Sequence, residues 1–308
     1  MTLSTKESLS SIHQSNEYCP AFPPNSPGQD TEVIHGRTET AGGTVDYTYE
    51  RPLEMITDEV PLFIIPGYLG VESGYRELRE RIAQEGKPAV TLKPLRVPSL
   101  SAALHPDYLL HPGALASRAA YGVLSDVQER YNHDVFDLAG HSLGGWTVSA
   151  LAKRHSKKIR SATFVASAGL EDHSTWSLTR RIPTFVLYEV LPNLSAMTGD
   201  LNPAVVREFL HYIWRNPYRT GIEGLGVSNC DNRPTIIEIG NAGVKTAILN
   251  FASDHLICNK TTQNEMEDKV DHCETHPRQD LGHLAPNLEP EAVATRLMEI
   301  IQKITADK

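Results

Sequence analysis

The residues of this 308-residue chain best suited to chemistry lie at Gly140-His141-Ser142-Leu143-Gly144-Gly145. A serine hydroxyl is a poor nucleophile until a neighbouring base takes its proton, so its setting matters more than its identity. The Gly-x-Ser-x-Gly pattern arises by chance on the order of 0.1 times in a chain of this length, and alone it carries little. Here it directly follows the strand-like run Asp134 to Leu138 and directly precedes a helical pattern marked by Val148, Leu151 and Ala152. A sharp strand-to-helix turn forces its middle residue into strained backbone geometry, and small neighbours at 140 and 144 let the chain pass without clashes. Ser142 is then held out over the edge of a sheet.

On this motif, and on the order of segments from the first strands to the final helix, the chain resembles the α/β-hydrolase family. The resemblance implies a serine hydrolase with Ser142 as nucleophile on a nucleophile elbow, followed in the chain by an acid and then a histidine. Asp254, in Ala252-Ser253-Asp254-His255 just beyond the apolar run Val244 to Phe251, sits where open α/β sheets put functional groups and is the expected acid. Its alternatives are an ordinary turn aspartate and, for the acid role, Asp280. His283, in Gly282-His283-Leu284-Ala285-Pro286 before the last helix, is the expected base, with His255, His272 and His276 as rivals. In such a catalytic triad the acid holds the imidazole in one tautomer, so that its other nitrogen can shuttle the serine proton.

The same resemblance assigns an oxyanion hole to the backbone amides of Leu143, at the helix start, and Tyr68, in Pro66-Gly67-Tyr68-Leu69-Gly70. That segment is similar to the family's His-Gly-x motif. Pro66 replaces the usual histidine and removes a side chain that pins the loop, although proline can stiffen it instead. Gly67, Leu69, His141, Trp176 and Trp214 are the expected substrate contacts.

A serine rather than an aspartate nucleophile argues against alkyl-ester chemistry. Hydrolysis of a carboxylic ester with a mostly apolar acyl group is the expected reaction, and a small-molecule ester or thioester the expected partner. Thioester hydrolysis, acyl transfer or carbon–carbon hydrolysis on the same triad are the alternatives, and fold resemblance does not choose between them. A non-catalytic small-molecule sensor is a further reading. No cofactor is expected. His272 and His276 are four apart with Glu274 between, which on a helix would align two metal ligands; a solvated surface is the competing reading, and no metal site is assigned.

The positioning elements follow from pattern. Pro61-Leu62-Phe63-Ile64-Ile65 is apolar on both faces, as a central parallel strand covered by helices must be. Strand-like runs recur at Ala89 to Leu95, Asp134 to Leu138, Ser161 to Ala166 and Val244 to Phe251, and Glu32 to Glu50 reads as two strands around Ala41-Gly42-Gly43. Val293, Leu297, Ile300, Ile301 and Ile304 make one stripe of a final helix. The fold class is therefore α/β, a mostly parallel central sheet with helices on both faces, plus an inserted helical cap.

Residues 31–169 and 241–308 are assigned to the core, 170–240 to the cap and 1–30 to a loose proline-containing arm. The cap assignment rests on length, since crossover loops run about 2 to 6 residues. Asn202-Pro203 marks a helix start within it, followed by Val205, Val206, Phe209, Leu210 and Ile213. Its aromatics, Trp176, Phe185, Tyr188, Tyr212, Trp214 and Tyr218, either pack the cap on the core or line a pocket.

Composition bounds the rest. Lys plus Arg total 29 against 38 Asp plus Glu, a formal charge of −9 without a basic run, so nucleic acid is not expected as a partner. No apolar stretch approaches the ~20 residues of a transmembrane helix. Met1 to Ser10 show no secretory block, which gives a cytoplasmic expectation. Cys19, Cys230, Cys258 and Cys273 are too dispersed for a structural zinc site. Reduced thiols are expected, with a Cys258–Cys273 pair as an alternative that a reducing compartment would not sustain.

Overall fold

Successive side chains of a strand point to opposite faces, so a strand buried throughout must separate two apolar layers. In the computed structural model, strand β3 (Leu62–Ile65) does this: Phe63 and Ile65 join one core and Leu62 and Ile64 the other, all four buried. The structure describes residues 30–40, 43–54, 59–67, 72–93, 112–170, 180–181, 183–184, 187–188, 231–257 and 264–306.

Around β3 the described strands form one eight-stranded sheet in the order β1-β2-β4-β3-β5-β6-β7-β8. The others are β1 (Thr31–Thr40), β2 (Gly43–Pro52), β4 (Ala89–Leu92), β5 (Phe136–His141), β6 (Ile159–Val165), β7 (Lys245–Asn250) and β8 (His272–Thr275). β1 and β2 form an antiparallel hairpin whose second strand runs antiparallel to β4, and every pairing from β4 to β8 is parallel.

Helices cover both faces. On one lie α1 (Arg76–Gln84) and the last helix, α6 (Pro290–Thr305), which follows the short α5 (Ala285–Leu288). Leu78 and Ile82 of α1 meet Val293, Leu297, Ile300, Ile301 and Ile304 of α6, so the apolar stripe read in the sequence is the buried face. On the other lie α2 (Pro112–Tyr131), α3 (Gly144–His155) and α4 (Arg233–Asn241). Val123, Leu124 and Val127, Val148 and Leu151, and Ile236 and Ile239 fill that core.

Four details differ from the sequence expectations. β5 runs past Leu138 to His141, because Ala139 and Gly140 continue the parallel ladder with β3 and β6. β4 ends at Leu92. Helix α4 falls inside the range assigned to the cap, yet Ile236 and Ile239 belong to the core, and Asn232 before it is fully buried. His272 to Thr275 form the edge strand β8 rather than a helix, so the two-histidine metal pattern has no helix to align it. Among the described residues, no group of three or more His, Cys, Asp or Glu could hold a metal ion, and no helix is long and apolar enough to cross a membrane.

Residues 1–29, Tyr68, Leu69, Trp176, Trp214, the Asn202-Pro203 helix start, Cys19, Cys230 and Cys258 lie outside the described residues. Cys273 is half-buried on β8, where burial pushes its thiol up to about 11.

Candidate active site

Six parallel strands, β3 to β8, end on the same edge of the sheet, and residues just beyond β3, β5, β7 and β8 come together there. β5 ends in a sharp turn at Ser142. Ser142 has φ +53°, a left-handed value that costs a non-glycine residue about 1–3 kcal/mol and persists only when the surroundings fix it. Here the Ser142 amide donates to the Val165 carbonyl at 3.0 Å, and the Ser142 carbonyl accepts from Gly145 at 3.1 Å and Ala168 at 2.9 Å. The glycines of the motif are required by close approach. A Cβ at Gly144 would stand 2.2 Å from the Ile65 carbonyl oxygen, and one at Gly67 would stand 2.7 Å from the Ser142 Cβ. Gly67, two residues after β3, is thus packed directly against the turn.

His283 lies beyond β8 and Asp254 beyond β7. Two ties stitch their loops together: the Ser253 amide to the Leu281 carbonyl at 3.0 Å, and the Ser253 hydroxyl to the Gln279 carbonyl at 2.5 Å. The result aligns three side chains from distant parts of the chain. The Ser142 Oγ is 3.1 Å from His283 Nε2, and His283 Nδ1 is 2.9 Å from Asp254 Oδ2. Asp254 is otherwise occupied by backbone, its Oδ1 accepting from Leu256 at 2.8 Å and Ile257 at 3.0 Å.

Burial opposes ionisation of Asp254, but His283 beside it and these two amides outweigh that and hold the carboxyl below its usual range. An ionised Asp254 only accepts, so Nδ1 of a neutral His283 carries the proton. Nε2 is left as an acceptor aimed at the serine hydroxyl. An arrangement of this kind can remove the hydroxyl proton as the oxygen attacks and return it to a leaving group.

The other candidates do not meet Ser142. Asp280 is exposed and held by Arg278, whose Nη2 donates to it at 2.6 Å. His255 is exposed beside Tyr188, their ring centroids 5.4 Å apart. His272 pairs with Glu274 at 2.7 Å, and His276 accepts from the Arg278 amide through Nδ1 at 3.1 Å. Leu143 stands at the start of α3, in contact with solvent at its edge, and its amide donates to no described group.

His141, expected as a substrate contact, faces inward. It is buried, and both ring nitrogens are engaged inside the protein, Nδ1 with the Tyr75 hydroxyl at 2.5 Å and Nε2 with the His283 carbonyl at 2.9 Å. Neither is left for a ligand. Three residues that the sequence did not single out also serve the site. Tyr75 holds the Gly67 amide at 3.2 Å. Ala168 fixes the Ser142 carbonyl. Asn232 accepts from Ser149 at 2.5 Å and donates to the Gly145 carbonyl at 3.3 Å, tying the chain entering α4 to the first turn of α3. Only Asn232 left a trace in the sequence, as the cap of an Asn-Arg-Pro helix start.

The match to known proteins agrees with this architecture. The model of a family described as the alpha/beta hydrolase family matches residues 62–296. The chain belongs to that family, and a hydrolase is the class that membership supports. No curated protein sequence matches it. Among solved structures, an esterase from Exiguobacterium antarcticum is similar at TM-score 0.63 and 13% identity, covering 87% of this chain and 100% of the other. A putative lipase from Acinetobacter baumannii is similar at TM-score 0.60 and 13% identity, covering 90% and 93%. An esterase from Thermogutta terrifontis gives 0.59, 13%, 88% and 99%. At such identities the likeness is one of fold.

Proposed function

We propose that the protein is a serine hydrolase that cleaves a carboxylic ester through an acyl-enzyme intermediate on Ser142, His283 and Asp254. The observation that carries this reading is the continuous hydrogen-bonded line from the strained Ser142 through His283 to the buried Asp254. In the reaction, His283 Nε2 takes the hydroxyl proton as Ser142 Oγ bonds to the ester carbonyl carbon. The oxyanion that forms is met by the amides of Leu143 and Tyr68, each worth roughly 3 kcal/mol of barrier. The carbon–oxygen bond to the alcohol then breaks, and His283 returns the proton to the departing oxygen. Water attacks the acyl-serine with His283 again as base, releasing the acid and restoring the hydroxyl.

The insertion within 170–240 serves as the cap over this edge and supplies the apolar acyl site. Two features support it: the aromatic content of the segment, and the 2.7 Å hydrogen bond from the Asn232 amide to the Gly169 carbonyl that joins its two ends beside the nucleophile turn.

A fluorophosphonate probe, applied to the native protein and to Ser142→Ala, tests the reading. Labelling of the native protein alone is expected. An unlabelled native protein would sink the serine hydrolase assignment, and equal labelling of both would move the nucleophile to another serine. A chain-length series of p-nitrophenyl esters and the matching thioesters then reads the acyl preference. Turnover of charged, polar acyl groups alone would remove the apolar-site assignment.

A further inference from the structure

The polar chain behind the site resolves how a loop with Pro66 in place of a pinning side chain is held, on the serine hydrolase reading given above. Tyr75 is 1% exposed and sits at the end of the 3-10 turn Glu72–Tyr75, before α1. Its hydroxyl touches the Gly67 amide at 3.2 Å and His141 Nδ1 at 2.5 Å, while His141 Nε2 touches the His283 carbonyl at 2.9 Å.

The donors order themselves. A carbonyl only accepts, so His141 Nε2 carries the proton; a neutral imidazole then accepts at Nδ1, so the Tyr75 hydroxyl donates there and accepts from Gly67. Each donor in the chain meets an acceptor and none is spent twice. Burial, with the His283 ring beside it as a lesser cause, pushes His141 down to about 3, so it stays neutral and in one tautomer at working pH. Burial likewise raises the Tyr75 hydroxyl, which stays protonated.

We propose that Tyr75 and His141 are positioning residues, a buried relay that sets the spacing between Gly67 beyond β3 and the loop carrying His283, with the nucleophile turn between them. Two further ties brace the same region. Asn287, in the short α5, donates to the Gly74 carbonyl at 2.7 Å, and the buried Arg79 binds Glu72, the first described residue after the loop. Gly67 and the base belong to segments about 215 residues apart in the chain, and this side-chain relay connects them past Ser142. Catalysis is sensitive to that spacing, because a misplacement of about 1 Å costs on the order of 100-fold.

The test compares Tyr75→Phe, which removes one oxygen and keeps the ring, with the pair His141→Gln and His141→Leu, assayed on p-nitrophenyl butyrate with melting temperatures measured alongside. Tyr75→Phe is expected to lower kcat on the order of 10-fold to 100-fold, with KM held within about two-fold, as befits an interaction used in the transition state. His141→Gln, which keeps a donor toward the His283 carbonyl, is expected to retain several times the kcat of His141→Leu. Wild-type kinetics in Tyr75→Phe, a rise in KM alone, or equal activity in the two His141 variants would each overturn the relay. Should Tyr75→Phe fail to fold, the His141 pair decides. A native protein that fluorophosphonate does not label removes the underlying reading. A labelled, active native protein with an unaffected Tyr75→Phe removes only this inference.

Discussion

β5 carries two buried polar clusters, one at each end, and they solve opposite electrostatic problems. Near its amino end, Asp137 is fully buried and over-supplied with partners: Arg160 donates through Nε at 3.0 Å and Nη2 at 2.5 Å, Ser161 at 2.6 Å, and Lys87 Nζ lies at 2.8 Å. Burial opposes its charge, but the two cations more than offset this and keep its pKa low. At the carboxyl end, Asp254, its side chain also buried, has two backbone amides and the His283 imidazole, with no Lys or Arg bonded to it among the described residues. The first cluster is compensated at rest. The second, held by two amides and an imidazole, gains a full cation when His283 takes up a proton, which is the event the proposed mechanism requires. A buried carboxylate therefore does not announce its role by burial or by a lowered pKa; the charge left unmatched around it does.

Substitutions at the two ends should separate cleanly. The largest effect belongs to Ser142→Ala, expected to lower kcat by about a million-fold while leaving unfolding unchanged; residual activity near wild type in purified protein would break the scheme. Asp254→Asn should cost about ten-thousand-fold in kcat through the wrong imidazole tautomer, again with the fold intact, as circular dichroism would show. Full activity there would reassign the acid.

Asp137→Asn should act the other way. It leaves Lys87 buried beside a neutral partner, and denaturant unfolding should register a loss of about 3–5 kcal/mol, while kcat per folded molecule stays within about two-fold. An active-site defect at unchanged stability would erase the distinction between the two ends.

The smallest effect is a slope. His141 has a pKa near 3 when folded and an ordinary one of 6.5 when unfolded, so the unfolded chain binds more protons between those values. Its contribution is present above about 6.5 and is lost as pH falls toward 3. Melting temperature should therefore decline across that window, less steeply in His141→Gln. The decline will not vanish in the variant, because His133, His155 and His276 are depressed by burial in the same direction. An identical slope in both proteins would remove His141 from the buried, neutral set.

Much of this was legible locally. A strand apolar on both faces, such as Leu62 to Ile65, has one stable setting, and the spacing of Val293, Leu297, Ile300, Ile301 and Ile304 has one helical face. Ser142 could be found because its turn needs glycines at fixed neighbouring positions. β8 escaped notice because four half-buried residues at a sheet edge carry little apolar signal. Helix α4 packs Ile236 and Ile239 into the core although its range falls almost wholly within the segment assigned to the cap, because nothing in its sequence distinguishes a cap helix from a crossover helix. The partners of His141 were hidden for a related reason: its position beside Ser142 says nothing about which way the ring turns.

The sequence by itself thus determined the sheet's central strands, the strained turn and the order in which serine, acid and histidine occur, since each depends on side-chain periodicity or on contacts within a few residues. Tertiary structure alone decided the partners. Whether Asp254 or Asp280 meets His283, and whether His141 faces a ligand or Tyr75, depends on loops brought together by the ends of β3, β5, β7 and β8. Contacts between residues tens to hundreds of positions apart leave no periodic trace in the chain.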